Sequence, residues 1–170
     1  MTDPGRYAPL HAAARELLAE LEHTYEVRRE EGTTADPGGG APVPLVRLVP
    51  ADPEAAALEV VATRFPGLLV RRGRDRIEAI PVCGCDACDE TLPDCLERLK
   101  QVAEATTGGT SGERLVHGDA GWVRERWLAM AGGWTRSRTP LSEAEPAAAR
   151  AALPTGERAY APWPRRRLSS

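Results

Sequence analysis

Residues 57–82 read ALEVVATRFPGLLVRRGRDRIEAIPV, in which short apolar runs alternate with turn-forming residues. With one further run just upstream, the predicted strands are residues 44–49, 57–63, 68–71 and 76–82. The turns between the last three contain Phe65-Pro-Gly and Gly73-Arg-Asp, residue types that favour tight reversals. Because turns this short connect antiparallel neighbours, the pattern predicts an antiparallel meander.

Two helices are predicted around this meander. The first covers residues 7–31, whose apolar positions follow a helical repeat, and Gly32 ends it. The second covers residues 91–105, with Thr91 as its N-cap. Its apolar face carries Leu92, Cys95, Leu96, Leu99 and Val102.

The later part of the chain adds further elements. Strands are predicted at residues 121–130 and 133–139, with a short strand at 114–117 after a loop at 106–112. Ser142 and Glu145 have the spacing of a capping box, which predicts a third helix ending before Pro154. The fold class predicted is therefore α+β, an antiparallel sheet of short strands packed by the long N-terminal helix and the second helix.

The length of 170 residues is typical of one domain, so residues 1–170 are predicted to form a single unit. Residues 32–43 are rich in Gly and Pro, which predicts a flexible linker or loop. Residues 155–170 form an extended tail rich in Pro and Arg. Because a Trp side chain has a large apolar area, Trp163 is expected to fold back onto the domain, and a free docking peptide is the alternative.

Composition excludes some classes of partner. The net charge of −3 disfavours nucleic acid, and no apolar run is long enough for a membrane span. The partner expected is a protein or a small molecule. The N-terminus lacks a secretory signal, which predicts a cytoplasmic location. In that reducing compartment, clustered cysteines are metal ligands or redox groups more often than disulfides.

All four cysteines lie within thirteen residues, at positions 83, 85, 88 and 95. Gly84 can turn the sulfurs of Cys83 and Cys85 to one side, and the two-residue gap from Cys85 to Cys88 is typical of zinc knuckles. Cys95 follows in the first turn of the second helix. Four sulfur ligands favour a structural Zn²⁺ ion, so Cys83, Cys85, Cys88 and Cys95 are predicted to bind zinc at a strand-to-helix junction.

Three alternatives stand beside zinc binding. Cys95 shares an apolar face and can be a buried core residue. The fourth ligand would then come from a nearby acid or histidine: Asp86, Asp89, Glu90, His23 or His117. Cys85 and Cys88 could instead form a redox dithiol, although the surrounding acids raise thiol pKa values. The cysteines could also be inert.

Several segments together resemble an uncharacterised actinobacterial family, a domain of unknown function. They are Cys-Gly-Cys-Asp-Ala-Cys-Asp-Glu at 83–90, Arg-Tyr-Ala-Pro-Leu-His at 6–11, Phe-Pro-Gly-Leu-Leu-Val-Arg at 65–71 and Pro-Trp-Pro-Arg-Arg at 162–166. The resemblance implies no activity.

The sequence shows no phosphate-binding loop and no nucleophile elbow, so no catalytic or cofactor-binding residue is assigned. The function predicted is a non-enzymatic, zinc-stabilised binding or regulatory module. The alternatives are a thiol-based redox or metal sensor using Cys85 and Cys88 and, with less support, an enzyme whose site the sequence does not reveal.

Overall fold

A computed structural model describes most of the chain: residues 3–73, 76–83, 90–119, 121–130, 133–141 and 158–167. Within these residues the helical elements are a 3-10 helix (Pro4–Tyr7), α1 (Pro9–Thr24) and α2 (Leu92–Thr107). The strands are β1 (Val27–Thr34), β2 (Val43–Pro50), β3 (Leu58–Ala62), β4 (Leu68–Arg72), β5 (Arg76–Ile80), β6 (Ser111–Gly118), β7 (Gly121–Met130), β8 (Gly133–Pro140) and β9 (Arg158–Ala159).

The first sheet is a five-stranded antiparallel meander in the order β1-β2-β3-β4-β5, which confirms the prediction of a meander. The strand register places alternate residues on an inner face that both helices cover. This face carries buried apolar side chains in register: Leu48, Leu58, Val60, Leu68, Val70 and Ile80. These residues and the apolar faces of α1 and α2 form one hydrophobic core.

The outer face of this sheet carries one row of charged residues beside apolar ones such as Val61, which is 2% exposed. Glu30, Arg47, Glu59 and Arg71 lie opposite one another in register on four neighbouring strands. Ion pairs link Arg47 to Glu30 at 3.7 Å and Arg71 to Glu59 at 2.8 Å. Cross-strand pairs of opposite charge suit a solvated sheet face.

The first helix is shorter than predicted. The helix predicted for residues 7–31 ends at Thr24, and Val27–Thr34 forms β1 instead. The backbone of Tyr25 is extended because the C-terminal tail binds the residue that follows it. The Glu26 N–H donates to the Pro164 carbonyl at 2.8 Å. The first residues of the predicted linker 32–43 therefore belong to β1, and residues 35–42 form the loop to β2.

The second helix agrees closely with the prediction. Thr91 and Asp94 form a capping box, in which the Asp94 N–H donates to the Thr91 hydroxyl at 3.3 Å and the Thr91 N–H donates to the Asp94 carboxylate at 3.2 Å. Cys95, Leu99 and Val102 are buried, as their spacing predicted. The helix continues two residues beyond the predicted end, to Thr107.

The two helices lie side by side and run in the same direction. At their N-terminal ends, the Tyr7 hydroxyl donates to the Glu90 carbonyl at 2.7 Å. At their C-terminal ends, the Trp163 N–H donates to the Thr107 carbonyl at 2.8 Å, and the Trp163 ring contacts Tyr25 edge-on at 5.6 Å. None of the helices among the described residues has the length and apolar character needed to cross a bilayer.

A second antiparallel sheet has the order β8-β7-β6-β9, so the strands form two sheets where one was expected. The predicted strands at 121–130 and 133–139 are confirmed as β7 and β8. The short strand predicted at 114–117 is longer, because β6 begins at Ser111 inside the predicted loop. The third helix predicted from Ser142 lies outside the described residues.

The C-terminal tail returns across the molecule. Trp163 is 3% exposed and its indole N–H donates to the Ala56 carbonyl at 2.8 Å, which confirms that this side chain folds back onto the domain. Ahead of it, Tyr160 donates its hydroxyl to the buried carboxylate of Glu113 at 2.6 Å. The tail thereby contacts both sheets and both helices.

Candidate metal centre

The cysteine segment joins β5 to α2, the strand-to-helix junction that the sequence predicted. The Val82 N–H donates to the Glu90 carboxylate at 2.8 Å, so the two ends of the segment are held together. Cys83 follows directly at the first end and is half-buried. Cys85 and Cys88 lie outside the described residues. The described residues on either side of 84–89 are therefore held together, and Cys85 and Cys88 lie between them in the sequence.

Glu90 is the residue that organises this junction. Its side chain is only 10% exposed, and one carboxylate oxygen pairs with the Arg98 guanidinium at 2.5 Å. Its carbonyl accepts the hydrogen bond from Tyr7, the last residue of the 3-10 helix that precedes α1. The carboxylate therefore connects the end of β5 to the first two turns of α2, and the backbone connects the loop to α1.

Cys95 lies against the same carboxylate. Its side chain is completely buried in the hydrophobic core. Burial, followed by the negative charge of Glu90, raises the pKa of the Cys95 thiol to about 11, and Glu90 is close enough to accept its hydrogen bond. At neutral pH the group is a protonated thiol, so a metal ion must displace its proton to use it as a ligand.

Among the described residues, no three His, Cys, Asp or Glu side chains are placed together as a metal-binding group. Two of the four predicted ligands fall outside that description. The burial of Cys95 matches its reading as a core residue, and its contact with Glu90 also places it at the point where the loop closes. Its ligand role stays a prediction.

The alternative fourth ligands are of two kinds: acids at or within the cysteine loop, and histidines on other elements. Glu90 lies at the loop closure, and Asp86 and Asp89 lie within the loop but outside the described residues. His23 is in the last turn of α1, about 20 Å along the helix from the end that faces the loop, which excludes it as a ligand. His117 is on β6, where its ring contacts Trp122 edge-on at 4.8 Å.

The charge of Glu90 is balanced locally, by Arg98 of α2. Arg71 and Arg72 pair within the first sheet instead, with Glu59 at 2.8 Å and Glu78 at 2.5 Å. The sequence does not predict this pair of Glu90 and Arg98, because Glu90 lies eight residues before Arg98 and outside α2.

The chain belongs to a family of unknown function, DUF6226, whose model matches residues 1–167. This confirms the resemblance to an uncharacterised family, while the actinobacterial origin stays a prediction. No curated protein and no solved structure matches the chain.

Proposed function

We propose that this member of a family of unknown function is a non-enzymatic binding or regulatory module of the bacterial cytoplasm, stabilised by a structural zinc ion. The ligands proposed are Cys83, Cys85, Cys88 and Cys95. The observation that supports the proposal is the closure of the cysteine loop by Val82 and Glu90, with the Cys95 thiol beside the same carboxylate.

Four sulfur ligands fill the tetrahedral coordination of Zn²⁺ and leave no position for water or substrate. The ion would therefore act by fixing structure. It would join the end of β5, the loop and the first turn of α2, three parts of the chain that meet at Glu90. A reducing compartment keeps the sulfurs available for the metal.

Zinc binding to the four cysteines is expected to depend on pH, because each thiol must lose its proton. The pKa of Cys95 is raised to about 11, so binding must release its proton. We expect zinc affinity to rise with pH between 6 and 8. In the Cys95→Ala variant this dependence should be shallower, because one proton fewer is released.

Metal analysis of protein purified without chelator tests the proposal directly. We expect one zinc per chain, and loss of the metal in Cys83→Ser, Cys85→Ser and Cys88→Ser variants. Replacing zinc with Co²⁺ reports the number of sulfur ligands, because each thiolate adds to the charge-transfer absorption. Glu97→Gln is the matched control, since Glu97 lies two residues from Cys95 on α2, is exposed and is not a proposed ligand.

The Cys95→Ala variant distinguishes two versions of the site. A lower Co²⁺ charge-transfer intensity with weakened binding supports four sulfur ligands. Unchanged absorption and affinity would assign the fourth position to a carboxylate, with Glu90 the first candidate. Metal-free wild-type protein with a reversible Cys85–Cys88 disulfide would overturn the zinc proposal and support a thiol-based sensor.

A further inference from the structure

A cleft of about 640 Å³ lies between α1 and the open end of the first sheet. On the helix side it is lined by positions 11, 14, 15 and 18, which share one face of α1. On the sheet side it is lined by parts of β1, β2, β3 and β4 and by the loop that precedes β2. No cysteine lines it, so it is separate from the proposed zinc site.

The floor of the cleft is apolar. Leu18, Val60 and Leu68 lie there and are 2%, 5% and 2% exposed. Val46 is in register with Val60 and continues the same face of the sheet toward β1. A volume of this size falls within the range of roughly 300–1,000 Å³ that is typical of small-molecule pockets.

The rim of the cleft is basic. Arg15, Arg29 and Arg64 line it from α1, β1 and the turn after β3. Arg29 is already bound, since it donates to Glu31 at 2.7 Å and approaches Glu22 at 3.5 Å. Arg15 and Arg64 are exposed, and neither guanidinium has an ion pair with any residue in the described part of the chain.

Arg64 is held at the mouth of the cleft by the loop before β2. Its guanidinium rests on Gly40, where an added Cβ would lie 2.3 Å from the Nη1 atom. Gly40 also has a positive φ of 96°, a conformation that suits glycine. The close approach therefore depends on glycine and keeps the charge near the rim.

Three arginines and one glutamate, Glu31, give the lining a formal charge of +2 (3 − 1 = 2), in a chain whose net charge is −3. A positive rim above an apolar floor complements a ligand with one anionic group and an apolar body. We infer that this cleft binds a small organic carboxylate with an apolar chain. The carboxylate contacts Arg15 and Arg64, and the chain lies against Leu18, Val60 and Leu68.

Decanoate is a suitable probe of the full-length protein, measured by calorimetry or by displacement of the fluorescent sulfonate 1-anilinonaphthalene-8-sulfonate. We expect one saturable site. Arg15→Gln and Arg64→Gln should each weaken decanoate binding about fivefold or more, because each removes a charge-assisted hydrogen bond at a partly exposed site. Decanol, which lacks the charge, should bind at least tenfold more weakly than decanoate.

Arg28→Gln is the matched control. Arg28 neighbours Arg29 on β1 but points to the opposite face of the sheet, and its side chain is 69% exposed. This variant makes the same change in net charge and should leave decanoate affinity unchanged. Ala62→Trp places a large side chain at the sheet wall of the cleft and should abolish binding while the protein keeps its cooperative melting transition.

The inference is overturned if decanoate shows no saturable binding to the folded protein. It is also overturned if decanol binds as tightly as decanoate, or if Arg15→Gln and Arg64→Gln behave like Arg28→Gln. Repeating the titration with the Cys83→Ser variant separates this inference from the zinc proposal. Decanoate binding that survives the loss of metal would support the cleft independently of the cysteine loop.

Discussion

Glu125 is the most deeply buried acidic side chain among the described residues, at 1% exposure. It lies on β7, a central strand of the second sheet, between Arg114 of β6 and Arg138 of β8 and directly in register with both. One carboxylate oxygen accepts from the Arg114 Nε at 2.6 Å and the other from the Arg138 Nε at 2.5 Å. These hydrogen bonds hold the pKa of Glu125 below its usual range.

A Glu125→Gln variant tests the contribution of this carboxylate to stability. A carboxylate with a lowered pKa in the folded state stabilises the protein above the ordinary glutamate value of 4.5, and this contribution is lost as the pH falls further. We expect the variant to melt several degrees below the wild type between pH 5 and 7. The difference should shrink progressively below pH 4.5.

Melting curves of both proteins from pH 7 to pH 3 measure this effect. Glu97→Gln is a suitable control, because Glu97 is exposed on α2 and its carboxylate accepts a hydrogen bond from the neutral Gln101 side chain. The interpretation fails if Glu125→Gln melts at the wild-type temperature near neutral pH. A difference that stays constant down to pH 3 would also contradict it.

The N-terminus of α2 depends on a cap whose two residues, Thr91 and Asp94, are only three positions apart, which is why it could be predicted. Thr91→Ala removes the side-chain acceptor for the Asp94 N–H and should lower the free energy of unfolding by about 1 kcal/mol. Because Cys95 lies in the turn that this cap orders, the variant should also bind zinc more weakly.

Urea denaturation followed by circular dichroism measures the stability change. Thr91→Ser keeps the hydroxyl and should retain most of the wild-type stability. If the serine variant were as unstable as the alanine variant, the loss would come from the methyl group of Thr91 and the cap would not be its cause.

The strand β1 could not be recognised in the sequence for a physical reason. Residues Val27–Thr34 are mostly charged or polar on both faces, and Arg29 and Glu31 point toward the inner side of the sheet. A helical pattern of apolar residues also runs through Tyr25. Pairing with β2 and with the tail makes this segment a strand and not a continuation of α1. Charged residues are common on such edge strands.

The two candidate sites differ in how much of them the sequence reveals. The cysteine spacing marks the loop between β5 and α2, because its ligands are close together along the chain. The cleft depends on Arg15, Arg29 and Arg64, which are far apart in sequence. They lie on three different elements: α1, β1 and the turn after β3. Only the register of the sheet and the position of α1 bring them to one rim.

At the scale of the whole molecule, the tail connects the core to both sheets. Trp163→Ala should lower the free energy of unfolding by about 3–5 kcal/mol, because it removes a buried aromatic side chain and leaves a cavity next to Tyr25. Trp163→Phe keeps most of the apolar area and loses the bond to the Ala56 carbonyl, which predicts a smaller loss of about 1–2 kcal/mol.

Denaturant titrations followed by circular dichroism rank these two variants. Arg167→Ala, an exposed position four residues later, is the control and should match the wild type. Trp163→Ala with wild-type stability would show that the tail is a removable appendage, which is the docking-peptide alternative.

The parallel arrangement of α1 and α2 gives the molecule an electrical polarity. The peptide dipoles of the two helices point the same way, so their partial positive charges gather at the end that holds Glu90 and Asp94, and their partial negative charges at the other. At that second end, the Arg166 guanidinium donates to the terminal carbonyls of α1 at Glu22 and Tyr25, both at 2.9 Å. Two adjacent aligned dipoles repel each other, and ionic groups at both ends relieve that repulsion. A tetrathiolate zinc complex carries a charge of −2, and at the cysteine loop it would occupy the end where these dipoles favour an anion.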